Sequence, residues 1–340
     1  MSEIAHDETK TEGPVRMDPP RTFRRVPLLP HQMSERVTPQ RDLFVLGHVG
    51  IPRVEGDNWP LTIDGLVRRS ATFTFDEIRR LPKREVESVH ECAGYPANPR
   101  VAMRRVGNAV WGGADLKTLL DEIGLLPDAQ YLWAYGCDGG EYEGVRSRRY
   151  LKDCPLDRLE RGGVLLAYEI NGEPLDAEHG FPLRLFIPGF YGTNSVKWLT
   201  RLHLADRRAD GPFTTRLYND PIEPGRTRPV WQIAPESVIV SPAPDEKIAG
   251  EAVDIWGWAW ADGGVKAVEI STDGGQIWRA AQLEKHLGWA WQKFRATWRP
   301  EGAGEAVLMS RATGNNGAIQ PLSEWRNSIY AVRVKLAQRA

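Results

Sequence analysis

Two stretches carry the residue types best suited to chemistry. In the first, His90-Glu91-Cys92-Ala93-Gly94, a thiol closes a strand-like run and a glycine opens the backbone beside it. A thiolate at such a strand end can ligate a soft metal or act as a nucleophile. A lone cysteine serves equally well as a small buried hydrophobe. A zinc site does not fit, because no second cysteine lies nearby. No feature marks a histidine that would activate Cys92 in a cysteine-nucleophile enzyme. The second stretch runs from Gly163 to Leu199. It sets His179 in a glycine-flanked turn, Arg184 on a strand, and a Gly/Ser/Asn loop before Lys197. Cationic and donor side chains beside open backbone N–H groups suit a polyanion such as a phosphate. The same charges would also sit on the solvated face of a strand–loop–strand unit.

The elements that must position these residues are short and mixed. Phe73 to Leu81 and Asp115 to Ile123 read as helices, the second with an apolar stripe at Leu116, Leu119, Leu120 and Ile123. Ser88-Val89, Tyr131 to Tyr135, Val164 to Tyr168 and Leu183 to Ile187 read as strands, and Asn171-Gly172 as a tight turn. The class is α+β. Neither GxGxxG nor GxxxxGK[ST] occurs, so no nucleotide-phosphate loop is encoded. The composition changes near Trp231, and nine of the 13 tryptophans lie from there onward. Glu236 to Val240, Glu251 to Trp260, Val265 to Ser271 and Ile277 to Ala281 alternate with the period of half-buried strands. Asp273-Gly274-Gly275 supplies a hairpin turn. This predicts an immunoglobulin-like β-sandwich whose packing rests on aromatics rather than a disulfide. The predicted organisation is an extended arm over 1–41, a catalytic domain over 42–220, a linker over 221–230 and the sandwich over 231–340.

Composition removes several function classes. The 340 residues are 41% hydrophobic and 26% charged, which fits a folded globular chain. With 44 Lys+Arg against 45 Asp+Glu, there is no bulk electrostatic footprint for nucleic acid. No run of 18 apolar residues predicts a membrane span. Cys92, Cys137 and Cys154 are too few for a disulfide framework, and the absence of CxxC and CxxCH argues against an iron–sulfur cluster or haem. Arg24-Arg25 is followed by only five largely apolar residues containing two prolines, too short for a secretory h-region, so a cytoplasmic location is expected.

Cys92-Ala93-Gly94, the stretch from Leu165 to Arg184, Ser195-Val196-Lys197-Trp198 and the hairpin Ser271 to Trp278 occur in this order. Together they resemble the sulfite oxidase family of molybdopterin-dependent oxidoreductases, over roughly Asp42 to Val334. The resemblance implies a sulfite-oxidase-like mixed α/β catalytic domain followed by an immunoglobulin-like dimerisation domain. It implies molybdenum held by the dithiolene of one molybdopterin, with Cys92 as the protein's metal ligand. His48, His179, Arg184, Ser195, Val196 and Lys197 would hold the pterin and its phosphate. Tyr218 would donate a hydrogen bond where oxygen is transferred. The resemblance further implies a homodimer and a small-molecule substrate. No counterpart of the haem domain carried by some relatives is expected, so electrons would pass to or from a separate partner protein.

The departures concern substrate. The family has Arg-Asn-His where this chain has Leu46-Gly47-His48, and Asn-Arg-Arg where it has Tyr95-Pro96-Ala97. Arg100, Arg104 or Arg105 would have to turn back into the pocket, and Arg326 is a weaker match to a C-terminal contribution. Three readings follow: two-electron oxygen-atom transfer with an altered sulfite-type pocket; reduction of a sulfoxide-like or nitrogenous oxide on the same scaffold; and a non-catalytic binding protein that has lost the cofactor.

Overall fold

The computed structural model describes residues 27–56, 58–94, 102, 104–323 and 326–337. The first domain holds β1 (Pro60–Gly65), β2 (Ala71–Thr74), α1 (Phe75–Arg80), β3 (Lys83–Glu91), β4 (Val106–Asp115), α2 (Leu116–Ile123), β5 (Tyr131–Gly136), β6 (Gly140–Tyr142), β7 (Val145–Ser147), β8 (Leu151–Pro155), β9 (Leu165–Ile170), β10 (Glu173–Pro174), β11 (Arg184–Phe186) and β12 (Leu199–Ala205). One sheet has the order β2-β1-β12-β5-β8; a second has β10-β9-β4-β3, with β11 also paired to β9. The helices start where side chains satisfy their first N–H groups. Thr74 Oγ1 accepts from Glu77 N at 3.2 Å, so α1 opens at Phe75 rather than Phe73. Asp115 Oδ1 accepts from Thr118 N at 3.0 Å and opens α2.

The segment expected as a linker is an ordered antiparallel hairpin, β13 (Asn219–Glu223) with β14 (Arg226–Pro229). The sandwich follows: β15 (Glu236–Ser241), β16 (Lys247–Ile248), β17 (Val253–Trp260), β18 (Val265–Ser271), β19 (Arg279–Ala280), β20 (Gln282–Leu283), β21 (Gln292–Trp298), β22 (Gly304–Gly314) and β23 (Val332–Leu336). Its sheets are β15-β17-β21-β20 and β16-β23-β22-β18-β19. The core between them is largely aliphatic, with Ile239, Ile255, Val268, Leu308 and Val334 around Phe294. This corrects the expectation that aromatics hold the two sheets together. On β17, Ile255 and Ala259 face inward, so the period of two sends Trp256, Trp258 and Trp260 to the other face. There they meet Trp291 and the catalytic domain's Val89, Ala93 and Val106. The arm from Pro27 onward runs across this junction: Trp258 Nε1 donates to Met33 O at 2.7 Å, and Trp291 Nε1 to Arg36 O at 2.9 Å.

A buried polar network lies in the same junction. Arg104 Nε donates to Glu236 Oε1 at 2.8 Å, with both side chains 1% exposed. Asn327 Nδ2 donates to Glu236 Oε2 at 2.8 Å and to Glu91 Oε1 at 2.9 Å. Trp260 Nε1 donates to Glu91 Oε2 at 2.8 Å. Burial pushes both carboxyls upward in pKa, and Glu236 raises Glu91 further, while Arg104 and the hydrogen bond from Glu91 oppose the shift of Glu236, so the pair holds a proton in preference to two buried charges. Glu236→Ala is expected to cost ~3–5 kcal/mol, because Arg104 cannot shed its charge. Arg104→Ala should cost less, since Glu236 can neutralise itself by protonation. Urea unfolding of both variants measures the difference, and equal losses would contradict this account.

Candidate functional site

Strand alternation brings the first stretch together. On β3, His90 faces an internal cavity, and Cys92, just past the strand end, lies on the same face. Val89 and Glu91 face the sandwich. The β3–β4 ladder ends at Glu91 opposite Val106, and Cys92 N donates to Arg105 O at 2.9 Å, one step beyond. Opposed residues of an antiparallel pair share a face. Arg105 therefore reaches the thiol, with Nη1 3.9 Å from Cys92 Sγ, while Arg104 turns the other way onto Glu236.

Two cavities meet at Cys92. The inner one, partly open to solvent, offers about 620 Å³ of free space and is lined by Phe44, His48, His90, Asp138, Tyr150, Glu178, His179, Arg184, Thr193, Ser195, Lys197 and Trp198, among others. The outer one, also open to solvent, offers about 700 Å³ of free space and is lined by Leu46, Cys92, Gly94, Arg105, Tyr142, Glu143, Leu217 and Tyr218. Leu46, Cys92 and Tyr218 belong to both linings.

The inner cavity is built to receive negative charge. Lys197 Nζ donates to Leu46 O at 3.0 Å and Glu178 O at 2.8 Å. Burial, then Arg184, pull its pKa down to about 7. Burial also lowers Arg184, to about 9, and raises Asp138, to about 7. Arg184 donates to the carbonyl oxygens of His179 and Ser195, each at 2.9 Å, but its buried Nε has no hydrogen-bond partner among the described residues. His179 Nδ1 is 2.8 Å from Asp176 Oδ1, and its buried Nε2 likewise lacks a partner there. Gly180, at φ +110, closes the His179 turn against Lys197, where a Cβ would lie 3.1 Å from the lysine Cβ. Two orphaned buried nitrogens beside a desolvated ammonium fit an anionic, hydrogen-bonding group such as a pterin phosphate.

Around Tyr218 the setting is aromatic. Its phenol hydrogen-bonds with His48 Nε2, and the His48 ring sits 4.9 Å from Tyr142 and 5.3 Å from both Tyr150 and Phe213. Burial, then Lys197 and Lys152, push His48 down to about 3, so its imidazole is neutral, and in the Nε2–H tautomer it donates to the phenol oxygen and leaves the phenol proton free. Burial pushes Tyr218 far above the ordinary phenol range and keeps it protonated. Tyr218 also carries a left-handed backbone, φ +59, uncommon for a bulky residue and expected where a side chain is held in place. Burial likewise raises the Cys92 thiol, and Arg105 opposes the shift.

The sequence-predicted residues divide as follows. His48, Cys92, His179, Arg184, Ser195, Lys197 and Tyr218 converge on the paired cavities. Ser195 spends its hydroxyl on accepting from Ile187 N at 3.0 Å. Val196 is a correction: its side chain lies in the hydrophobic core, and neither cavity includes it. Arg104 is a second, diverted by strand parity into the domain junction. Arg326 is a third: it spans Asp220 with two bonds of 2.8 and 2.9 Å and donates to Ala93 O at 2.7 Å, bracing the loop behind Cys92 instead of lining the outer cavity. Arg100 lies outside the described residues. Sequence reasoning passed over His90, Asp138, Tyr150 and Thr193, which carry no local motif; for His90, its place two residues before Cys92 was the available signal.

Among the described residues no three His, Cys, Asp or Glu side chains cluster as metal ligands. The comparisons agree with this geometry. Residues 48–213 match the oxidoreductase molybdopterin binding domain, and residues 227–337 the Mo-co oxidoreductase dimerisation domain. Fold and site together define a two-domain molybdopterin oxidoreductase. Sulfite oxidase from Gallus gallus is 30% identical over 329 residues, covering 85% of this chain and 69% of the relative. Sulfite oxidase from Arabidopsis thaliana is 29% identical, covering 92% and 88%. The crystal structure of the sulfane dehydrogenase SoxCD from Paracoccus pantotrophus aligns with a TM-score of 0.78 at 28% identity, over 90% of this chain and 85% of that one. The chain belongs to the sulfite oxidase family. It spans 58% of the length of the mitochondrial sulfite oxidase of Drosophila melanogaster, to which it is 29% identical over 88% of its own length.

As pH rises through about 7, Lys197 loses its proton and Asp138 gains a negative charge. Both changes oppose anion binding. Sulfate, whose charge is constant over this range, should therefore bind the cofactor-free protein more weakly at pH 8.5 than at pH 6 by about tenfold or more. Calorimetry at the two values checks this, and affinity that rises with pH would contradict it.

Proposed function

We propose that Cys92 gives the protein's one thiolate to the molybdenum of a single molybdopterin, and that the enzyme oxidises a small sulfur compound by two-electron oxygen-atom transfer. The observation that carries this is the position of Cys92 in the linings of both cavities. A soft donor at that point has an anion-binding chamber on one side and an opening on the other. When bound, the cofactor supplies the two-electron redox couple.

The chain's own groups have separable tasks. Lys197, Arg184 and His179 hold the pterin's anionic and hydrogen-bonding groups, and the desolvation that lowers the lysine is reversed when an anion neutralises it. Arg326, fixed by Asp220, holds Ala93 and so the direction of Cys92. Tyr218 stays protonated beside a neutral His48 and donates a hydrogen bond to the oxygen being transferred, steadying charge as it develops. Relatives named for sulfite and sulfane support sulfur as the element oxidised. We further propose a separate protein as electron acceptor, and a homodimer formed through the sandwich, in line with the dimerisation-domain match.

Reduction of a nitrogenous oxide is the second reading. It is favoured by the NADH nitrate reductase of Phaseolus vulgaris, 28% identical over 292 residues, covering 73% of this chain and 32% of the relative. Metallated protein that reduces nitrate from a reduced dye, but oxidises no sulfur compound with ferricyanide, would establish it. A purified chain that never takes up molybdenum would instead mark a binding protein.

Cys92→Ser should remove one sulfur neighbour from the X-ray absorption spectrum of the metal and abolish turnover. An unchanged sulfur count would refute the ligand assignment. Tyr218→Phe should lower kcat on the order of 10²-fold with KM nearly unchanged, as for a group that acts chiefly in the transition state. A rise in KM alone would assign Tyr218 to substrate binding.

A further inference from the structure

Lys152, on β8, is 1% exposed and lines neither cavity. Its Nζ donates to Phe213 O at 2.8 Å and lies 5.3 Å from the centroid of the Tyr218 ring. That carbonyl is its one hydrogen-bond acceptor among the described residues, and no carboxylate among them pairs with it. Strand alternation turns the adjacent Asp153 away onto Arg208, in bonds of 2.8 and 3.1 Å. An ammonium carries three donor protons, so burying it on one neutral acceptor is costly. Burial accordingly pulls Lys152 down to about 7. Packing alone would favour an apolar side chain of similar length at this position.

Both contacts of this ammonium lead to one hydrogen bond, that between His48 and Tyr218. It touches the Tyr218 ring directly. Phe213, whose carbonyl it holds, stands on the short helix Pro212–Thr215, and the Phe213 ring packs 5.3 Å from His48 and 4.5 Å from Tyr150. Tyr218 keeps its left-handed backbone, φ +59, only where the surroundings over-determine it. We propose that Lys152 is a positioning residue for oxygen transfer: by holding the Tyr218 ring and the Phe213 backbone together, it fixes the phenol hydroxyl against His48 and aims its free proton. This rests on the role given to Tyr218 in the proposed reaction and names what keeps that side chain in place. The charge adds to the geometry. A cation against the ring draws electron density from the phenol and makes the O–H a better donor, and its field favours negative charge developing at the hydroxyl end.

The test is a double-mutant cycle on the full chain, with a second readout that needs no turnover. Lys152→Met keeps a side chain of similar length and removes the charge. In the molybdenum-loaded protein, with sulfite as substrate and ferricyanide as acceptor, it is expected to lower kcat about tenfold or more, with KM within about twofold and molybdenum content as in the parent. In a Tyr218→Phe background it should cost no more than about twofold, because the hydroxyl through which it acts is gone. Phenylalanine keeps the ring, so a packing effect of Lys152 would persist there. The urea midpoint of cofactor-free Lys152→Met at pH 7 should equal or exceed the parent's, since relief of a buried charge outweighs one hydrogen bond. An unchanged kcat, the same loss in both backgrounds, or a lower midpoint overturns the proposal; the last would make Lys152 a packing residue. Failure of the underlying reaction looks different: a parent that takes up no molybdenum, leaves sulfite unoxidised, or turns over as well with Tyr218→Phe as without it. The urea comparison then still decides whether Lys152 is there for stability.

Discussion

The antiparallel pairing of β3 with β4 is the constraint on which the site depends. Its nine paired positions run from Lys83 opposite Ala114 to Glu91 opposite Val106. Because side chains alternate, this one register decides six placements. His90 and Cys92 enter the inner cavity, and Arg105 joins the thiol across the ladder. Val89, Glu91 and Arg104 enter the junction with the sandwich. A slip of one residue would exchange the two sets, burying the thiol among tryptophans and turning Glu91 into an anion-binding cavity. The ladder is therefore both the wall of the site and the surface on which the sandwich packs.

The junction reinforces that register from behind. Trp258, Trp260 and Trp291 bury large apolar surfaces, and burial of one such ring contributes on the order of 2–3 kcal/mol. The polar network contributes direction more than energy, since buried ion pairs gain little over apolar packing once formed. Glu91, Asn327, Glu236 and Arg104 each satisfy one another only in one docking geometry. The domain that resembles a dimerisation module thus also helps fix the segment that carries Cys92: Arg326 reaches back from it to Ala93.

The inner cavity holds its charges at a cost when empty. Lys197, Arg184 and Asp138 are all shifted toward neutrality by burial. His179 and Arg184 each keep a buried nitrogen without a partner among the described residues. Such a site is destabilised without a ligand and stabilised by an anion, so part of the cofactor's binding energy is expected to appear as added stability of the fold.

The sequence by itself determined the family and the sandwich, and it named seven of the residues that line the inner cavity. Ordered motifs around Cys92, His179 and Lys197 are local, and local patterns survive folding. It misread the tryptophans, because alternation says which residues share a strand face but not which face meets the neighbouring domain. It misplaced Val196 for a similar reason, a one-residue change of side within a loop. Only the tertiary structure decided the arginines. Arg104 and Arg105 are adjacent and chemically identical, and nothing in the chain between Cys92 and Val106 reveals the register that opposes one to the thiol and the other to Glu236. Side-chain parity is a property of a paired strand, and the pairing exists only once the chain has folded.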